Sequence, residues 1–275
     1  MRRILSWAGL CLAGLGLLGP GCAHRAARRP DALVQYSVID ALLAGNYDGV
    51  LPCAELRRHG DFGIGTFDQL DGEMTLLGGT VYAVRADGRV EKVRDTETTP
   101  FATVTFFKAD RPEGQPMEGL TYAAFQEELR RQLPTPNHFC AVWVYGRFHR
   151  VKTRSVPRQA PPYIPLAEVT KNQSVFEFSD AEGYLVGFWS PPFVKGVNVP
   201  GWHFHFLTRD RTGGGHVLDF DLRNGIAWLD GKSAVTVLLP DTGAFLRTDL
   251  APDRAEELHR VETDPLKAGA APEKR

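Results

Sequence analysis

Three histidines are placed in this sequence so that they could bind a metal ion together. His203 and His205 are separated by one residue within Gly201–Phe206, and His216 follows a polar turn that ends in glycines. Because the side chains of a β-strand alternate between its two faces, His203 and His205 face the same side. If His216 opens the returning strand of a hairpin, the three imidazoles converge on a metal site with positions left for water or substrate.

Zinc is the metal that this arrangement favours. Imidazole nitrogen is a common zinc ligand, although histidines alone would also accept Fe, Mn, Ni or Cu. A lone histidine on a half-buried strand is more often a packed, hydrogen-bonded side chain, but three of the eight histidines fall on one predicted face. We therefore predict a Zn²⁺ cofactor, with other divalent transition metals as alternatives.

The cysteines take no part in the predicted site. Neither Cys53 nor Cys140 belongs to a CxxC pair, which is the spacing typical of cysteine-based zinc sites. The two residues are either buried free thiols or one disulfide, and the sequence does not decide between these alternatives.

The segment that carries the histidines resembles the metal-binding hairpin of the α-acetolactate decarboxylases. Other segments resemble the same family in the same order along the chain: Tyr36–Gly49, Gly63–Glu73, Arg154–Gln159, Pro162–Leu166 and Gly187–Pro191. Together they extend over nearly the whole chain after its N-terminal leader. The resemblance implies a carboxy-lyase that decarboxylates 2-acetolactate to acetoin and CO2, assembled as a homodimer.

The resemblance also implies a set of metal ligands. His203, His205 and His216 match the three zinc histidines of the family. Glu262 matches the carboxylate that the C-terminal part of the chain returns to the metal. By itself Glu262 is an ordinary polar residue at the end of a predicted helix, so its assignment depends on the resemblance.

Three further residues are implied near the substrate. Glu73 matches an active-site glutamate, Arg154 matches a substrate-facing arginine, and Thr66 is a substrate contact. We assign Glu73 and Arg154 to catalysis, and Thr66 and Arg154 to substrate binding. Without the resemblance, Glu73 could be a solvated residue beside a turn, and Arg154 lies in a basic stretch that could be a solvated strand face.

Many short strands and a few helices must position these residues. Asp87-Gly88 between Thr80–Val84 and Arg89–Val93 predicts a β-hairpin. The apolar spacing in Gly119–Leu133 predicts an amphipathic helix that ends before a proline. Further strands are expected at Phe101–Phe107, at Phe139–Lys152 (a strand pair or one long strand), and near Val175–Phe178, Tyr184–Trp189, Trp202–Leu207, His216–Leu222 and Val235–Leu239.

The fold class is therefore α+β, with mixed and antiparallel β-sheets in two closely associated subdomains and a few helices. The proline-rich segment Pro157–Pro165 is the predicted boundary. It separates an N-terminal α+β subdomain, residues 23–155, from a C-terminal β-rich metal-binding subdomain, residues 156–275. The second subdomain ends in a predicted helix, Ala251–Val261, and a polar tail.

Residues 1–22 have the pattern of an export signal of the lipoprotein type. Arg2 and Arg3 precede an apolar segment, Ile4–Leu18, that is shorter than the about 20 residues of a membrane-spanning helix. Lipidation of Cys22 would anchor the protein to a membrane. The alternatives are ordinary cleavage after Ala23, which gives a periplasmic or secreted protein, and an uncleaved N-terminal anchor.

Composition and charge argue against a nucleic-acid partner. The chain of 275 residues has 32 Lys plus Arg, 33 Asp plus Glu and a net charge of −1, so no basic surface is indicated.

Two other functions remain open at this point. A cupin-like metal oxygenase or isomerase also uses two histidines separated by one residue, but Thr208, Arg209 and Asp210 stand where a cupin glutamate is expected. An exported metal-binding lipoprotein without enzymatic activity is the second alternative.

Overall fold

The computed structural model describes residues 31–263. The predicted leader, Cys22 and the polar tail lie outside this range, so export and lipid anchoring stay predictions, as does the homodimer. Within the described range the strands are β1 Leu33–Tyr36, β2 Leu51–Pro52, β3 Phe62–Thr66, β4 Glu73–Leu77, β5 Thr80–Val84, β6 Val90–Lys92, β7 Thr98–Thr99, β8 Ala102–Thr105, β9 Gln115–Thr121, β10 Phe139–Ser155, β11 Ser174–Ser190, β12 Gly201–Thr208, β13 Gly214–Lys232 and β14 Val235–Leu238. The α-helices are α1 Ile39–Leu43, α2 Cys53–Leu56, α3 Tyr122–Gln132, α4 Leu166–Val169, α5 Gly243–Arg247 and α6 Ala255–Glu262.

Seven strands form one mixed sheet in the order β14-β1-β8-β3-β4-β5-β6. β14 runs parallel to β1, and the other neighbours are antiparallel. The predicted hairpin is confirmed as β5 and β6, and Gly88 in its turn has φ 85°. That left-handed conformation favours glycine, which explains the residue at this position.

The four long strands β10 to β13 close on themselves. β10 pairs with both β11 and β13, and β12 also pairs with both of them. β9 extends this sheet beside β13. The enclosed core is aromatic: the buried ring of Phe148 has its centroid 5.4 Å from that of Phe206 and 5.4 Å from that of Phe220, in edge-to-face contacts.

One strand prediction needs correction. The strands expected near Val175–Phe178 and Tyr184–Trp189 are two parts of the single strand β11. The segment between them, Ser179–Glu182, has the composition of a turn and Asp180 has φ 49°, yet Ser179, Ala181 and Glu182 remain paired with β10. Pairing with a distant strand keeps them extended, and a local pattern cannot show this. Phe139–Lys152, for which two alternatives were open, lies within the single strand β10.

The predicted boundary between residues 155 and 156 does not divide the two sheets. β10 ends at Ser155 but lies in the same sheet as β11 to β13, which follow the boundary. β14 comes from the C-terminal half and joins the N-terminal sheet beside β1. Both halves of the chain therefore contribute to both layers, while the α+β class with mixed and antiparallel sheets is confirmed.

Both helices predicted from the sequence are present, and each packs through its apolar side chains. The helix predicted in Gly119–Leu133 is confirmed as α3, and it buries Phe125 and Leu129 against the closed sheet. The final helix, α6, begins at Ala255, later than predicted. Its residues Leu258 and Val261 join a buried cluster with side chains of α1 and α4.

The cysteines of the described region are free and buried. Cys53 belongs to the core beside the seven-stranded sheet and Cys140 to the core of the closed sheet, so the disulfide alternative is not realised. Among residues 31–263, the helices are all too short or too polar to cross a bilayer.

Phe206 should be a major contributor to the stability of the closed sheet, because its side chain is 0% exposed. We expect Phe206→Ala to lower the free energy of unfolding by about 3–5 kcal/mol, measured by urea denaturation. Phe193→Ala is the matched control, since Phe193 is 67% exposed, and its effect should stay within about 0.5 kcal/mol. Equal losses for the two variants would contradict this account of the core.

Candidate active site

The three histidines lie on two neighbouring strands and face the same side. His203 and His205 are on β12, and His216 is on β13 directly opposite His205. The aromatic side chains that alternate with them, Phe204 and Phe206, are buried in the core of the closed sheet. That packing fixes the face of β12 on which the imidazoles emerge, because a strand cannot rotate one side chain outward without turning its neighbours.

The imidazole nitrogens are close enough to share one ion. Nε2 of His203 is 3.0 Å from Nδ1 of His216, and one ring nitrogen of each histidine lies within 4.8 Å of the others. Two nitrogens that each bind zinc at about 2.0–2.1 Å are roughly 3.0–3.4 Å apart. The separation between His203 and His216 therefore fits two ligands of a single metal ion.

Burial keeps these imidazoles neutral. Desolvation lowers the pKa of His203 to about 3 and lowers the pKa values of His205 and His216 well below the ordinary value of 6.5. The positive charge of Arg154 lowers each of these pKa values further. Neutral imidazole is the form that binds metal ions, so the environment favours the ligand state.

A backbone contact fixes the orientation of His205. Its Nδ1 is 2.8 Å from the carbonyl oxygen of Met74 in β4. Because a carbonyl only accepts hydrogen bonds, Nδ1 must carry the proton and donate it. Nε2 then presents its lone pair to the pocket, as in metal sites whose histidines are held by an outer hydrogen bond.

Arg154 lies between two carboxylates, the buried Glu73 and the half-buried Glu262. Its Nη1 donates to Oε1 of Glu73 at 3.1 Å, and its Nη2 is 4.0 Å from Oε1 of Glu262. Oε2 of Glu262 is 3.8 Å from Nε2 of His203 and 3.7 Å from Nε2 of His216. Oε2 of Glu73 is 3.6 Å from Nε2 of His205. The two carboxylates thus connect the arginine to the imidazoles.

Desolvation raises the pKa of Glu73 to about 7, and Arg154 opposes this shift. The negative charge of Glu262 raises the pKa of Glu73 further. Desolvation also raises the pKa of Glu262 to about 7, again opposed by Arg154. Burial therefore favours the protonated form of both carboxyl groups more strongly than the guanidinium of Arg154 favours the ionised form.

Both sheets and the last helix supply these side chains. Glu73 opens β4 and pairs with Thr66 of β3, so their side chains share one face of the seven-stranded sheet. Arg154 is near the end of β10, opposite His216. Glu262 is the last residue of α6. The structure therefore brings together all the residues that the sequence proposed for the site, although they come from distant parts of the chain.

Thr66 is buried at the edge of this group. Its Oγ1 donates a 2.8 Å hydrogen bond to the carbonyl oxygen of Gly72, which leaves the lone pairs of the hydroxyl oxygen for a ligand. The side chain lines the same pocket as the histidines.

The apolar walls of the pocket were not identified from the sequence. They consist of Ile39, Leu42, Leu70, Phe101, Val156, Leu166 and Val261. A pocket wall and a hydrophobic core show the same pattern of apolar residues, so the sequence carries no signal that separates them. These walls surround the polar groups with apolar side chains, which lowers the local dielectric constant and strengthens electrostatic interactions.

Comparison with known proteins places the chain in a family. Residues 33–252 match the family model described as Alpha-acetolactate decarboxylase. The alpha-acetolactate decarboxylase of Methanosarcina mazei is 50% identical over 232 residues, which are 84% of this chain and 80% of that protein. The chain belongs to the alpha-acetolactate decarboxylase family.

Other family members show the same relationship. The alpha-acetolactate decarboxylase of Methylococcus capsulatus is 43% identical over 87% of this chain and 92% of its own length. The crystal structure of alpha-acetolactate decarboxylase from Bacillus subtilis superimposes with a TM-score of 0.82 at 36% identity, over 85% of this chain and 100% of that chain. Membership of this family replaces the cupin-like interpretation.

The histidine cluster should bind one divalent ion. We expect the purified protein to carry about one divalent metal ion per chain, and His216→Ala to reduce bound metal to background because a ligand is lost. Elemental analysis after gel filtration measures this. His138→Ala is the control, since His138 is exposed and lies outside the cluster. Unchanged metal content in His216→Ala would contradict the site.

Proposed function

We propose that this protein decarboxylates 2-acetolactate to acetoin and CO2, using a zinc ion held by His203, His205 and His216. The observation that carries the proposal is a buried pocket in which three neutral imidazoles face an arginine placed between two carboxylates. Relatives named alpha-acetolactate decarboxylase, one of them 50% identical, support the same substrate.

The chemistry of the substrate defines what the site must do. 2-Acetolactate is a β-keto acid, so the electron pair released with CO2 moves toward the ketone oxygen and gives an enediolate. That species then takes a proton at the carbon that lost the carboxylate. Zn²⁺, when bound, supplies Lewis-acid stabilisation of negative charge on the substrate oxygens. The side chains must orient the departing carboxylate and deliver the proton.

We assign the substrate carboxylate to Arg154. The buried Nε of Arg154 has no hydrogen-bond partner among residues 31–263, and a buried donor without a partner is unfavourable. Arg154 also lines the pocket beside the three histidines, where its positive charge can hold a carboxylate. The planar guanidinium would also fix the direction of the carboxylate, so that the breaking bond lies perpendicular to the ketone plane.

We assign proton transfer to Glu73 and metal ligation to Glu262. The Glu73 carboxyl lies between Arg154 and His205, and a substrate held by the arginine and the metal would place its reacting carbon beside it. A carboxyl group in such a position can act as a general acid. Glu262 approaches two of the histidines from α6, and we propose it as an additional metal ligand, with Thr66 as a substrate contact.

The first test is the reaction itself. We expect the purified protein to convert racemic 2-acetolactate to acetoin faster than the uncatalysed reaction, to lose this activity with a chelator, and to regain it with Zn²⁺. Acetoin is measured by colorimetric assay. A zinc-loaded, folded protein that forms no acetoin would instead support the alternative of a metal-binding protein without enzymatic activity.

The second test separates catalysis from metal binding. We expect Arg154→Met to lower kcat by about 100-fold or more, because the substrate carboxylate loses its orienting partner, while zinc content stays unchanged. Arg150→Met is the matched control on the same strand, where Arg150 pairs with Asp219. Full turnover by Arg154→Met would remove Arg154 from the mechanism.

A further inference from the structure

The turn that leads into β4 has an unusual backbone. Gln69 and Leu70 have φ 61° and 57°, and Gly72 has φ 99°. The first two are L-residues in the left-handed region, which such residues adopt only when surrounding contacts hold them there. Leu70 and the next strand residue, Glu73, both line the pocket. The conformation of this turn therefore determines where two pocket side chains lie.

Arg85 holds the turn through contacts that lie outside the pocket lining. It is 7% exposed, and its Nη1 donates a short hydrogen bond to the backbone carbonyl of Asp71. The same nitrogen is 3.1 Å from Oδ2 of Asp71. The guanidinium also lies over the ring of Phe67, with its central carbon 5.0 Å from the ring centroid. Arg85 thus contacts residues of the turn and of the segment just before it.

Arg85 is itself held in place by two glutamate side chains, Glu91 and Glu97. Its Nε donates to Oε1 of Glu91 at 2.8 Å, and its Nη2 donates to Oε2 of Glu97 at 3.4 Å. The planar guanidinium therefore has partners on all three nitrogens, which fixes its orientation. A lysine at this position would keep the charge but could not make this set of contacts.

The backbone beside Arg85 is in close contact with the start of β4. Val84 pairs with Glu73, and a Cβ on Gly72 would lie 2.4 Å from the carbonyl oxygen of Val84 and 3.2 Å from Cα of Arg85. A glycine is required there for both the space and the positive φ. The backbone at Val84 and Arg85 therefore packs directly against the residue that precedes Glu73.

We propose that Arg85 is a positioning residue that sets the Glu73 carboxyl against Arg154 and His205 by holding the Gln69–Gly72 turn. This inference rests on the proposed function, in which Glu73 transfers the proton. Arg85 does not line the pocket, so it acts through Glu73 and not on the substrate. Metal binding should depend on it little, because all three histidines lie on β12 and β13 and only the Met74 carbonyl that orients His205 lies on β4.

A double-mutant cycle tests this assignment. We expect Arg85→Met to lower kcat about 10- to 100-fold, the usual range for residues that orient an active-site group. KM should change less than about threefold and zinc content should not change. In a Glu73→Gln background the same substitution should lower kcat by less than about threefold, because the group that it positions has lost its function. Arg85→Lys should recover part of kcat.

Arg57→Met is the matched control, since Arg57 also pairs with a carboxylate, Asp95, but at the exposed surface. It should leave kcat near the wild-type value. Equal losses from Arg85→Met in both backgrounds, or a loss confined to KM, would overturn the proposal, because a purely structural role or a direct substrate contact would explain such results.

Hydrogen exchange gives a second measurement that does not depend on turnover. We expect Arg85→Met to accelerate amide exchange in residues 68–73 at least about tenfold, with exchange in β12 and β13 unchanged. An unchanged turn would overturn the assignment of Arg85. If the wild-type protein formed no acetoin, the proposed function would fail, whereas the exchange data would still decide whether Arg85 holds the turn.

Discussion

Arg154 lies between the carboxylates of Glu73 and Glu262 and beside three imidazoles, and the charges of this largely buried group must be balanced mainly by one another. When Glu73 and Glu262 are both ionised, the guanidinium balances only one of their two negative charges. Desolvation is the main cause of the raised pKa values of both carboxyl groups, and Arg154 offsets it only in part. A divalent cation would change the net charge of these three ionised groups from −1 to +1, and a monoanionic substrate would bring it to zero. The negative charge of the carboxylates thus favours a bound cation, and that cation together with Arg154 favours a bound monocarboxylate.

The fold meets this requirement by building the site where its layers adjoin. The closed sheet supplies the histidines and Arg154, whereas the seven-stranded sheet supplies Glu73 and the carbonyl group that orients His205. The parallel pairing of β14 with β1 brings the chain back across the molecule before it forms α6. That return places Glu262 over the pocket. The two sheets do not correspond to two halves of the chain. Because of this interleaved topology, side chains from distant parts of the chain line one pocket.

What the sequence predicted, and what it did not, follows the range of the interactions involved. The common face of His203 and His205 depends on strand alternation alone, so it could be predicted from neighbouring residues. The assignment of Glu73, Arg154 and Glu262 needed the family resemblance, because each is locally an ordinary polar residue. The continuity of β11 through its polar middle depends on pairing with a strand that is distant in sequence. The role inferred for Arg85 likewise depends on contacts with residues up to eighteen positions away in sequence.

Glu262 is the site residue with the weakest signal in the sequence, and its position depends strongly on the rest of the fold. It ends a helix of 8 residues, a length that is not stable in isolation. α6 is held by the burial of Leu258 and Val261 against the cluster that includes Leu166 of α4. Val261 and Leu166 are also walls of the pocket. The apolar wall that shapes the space for the substrate therefore also holds the proposed metal ligand in place. The fit of the substrate and the position of the Glu262 carboxylate thus depend on the same side chains.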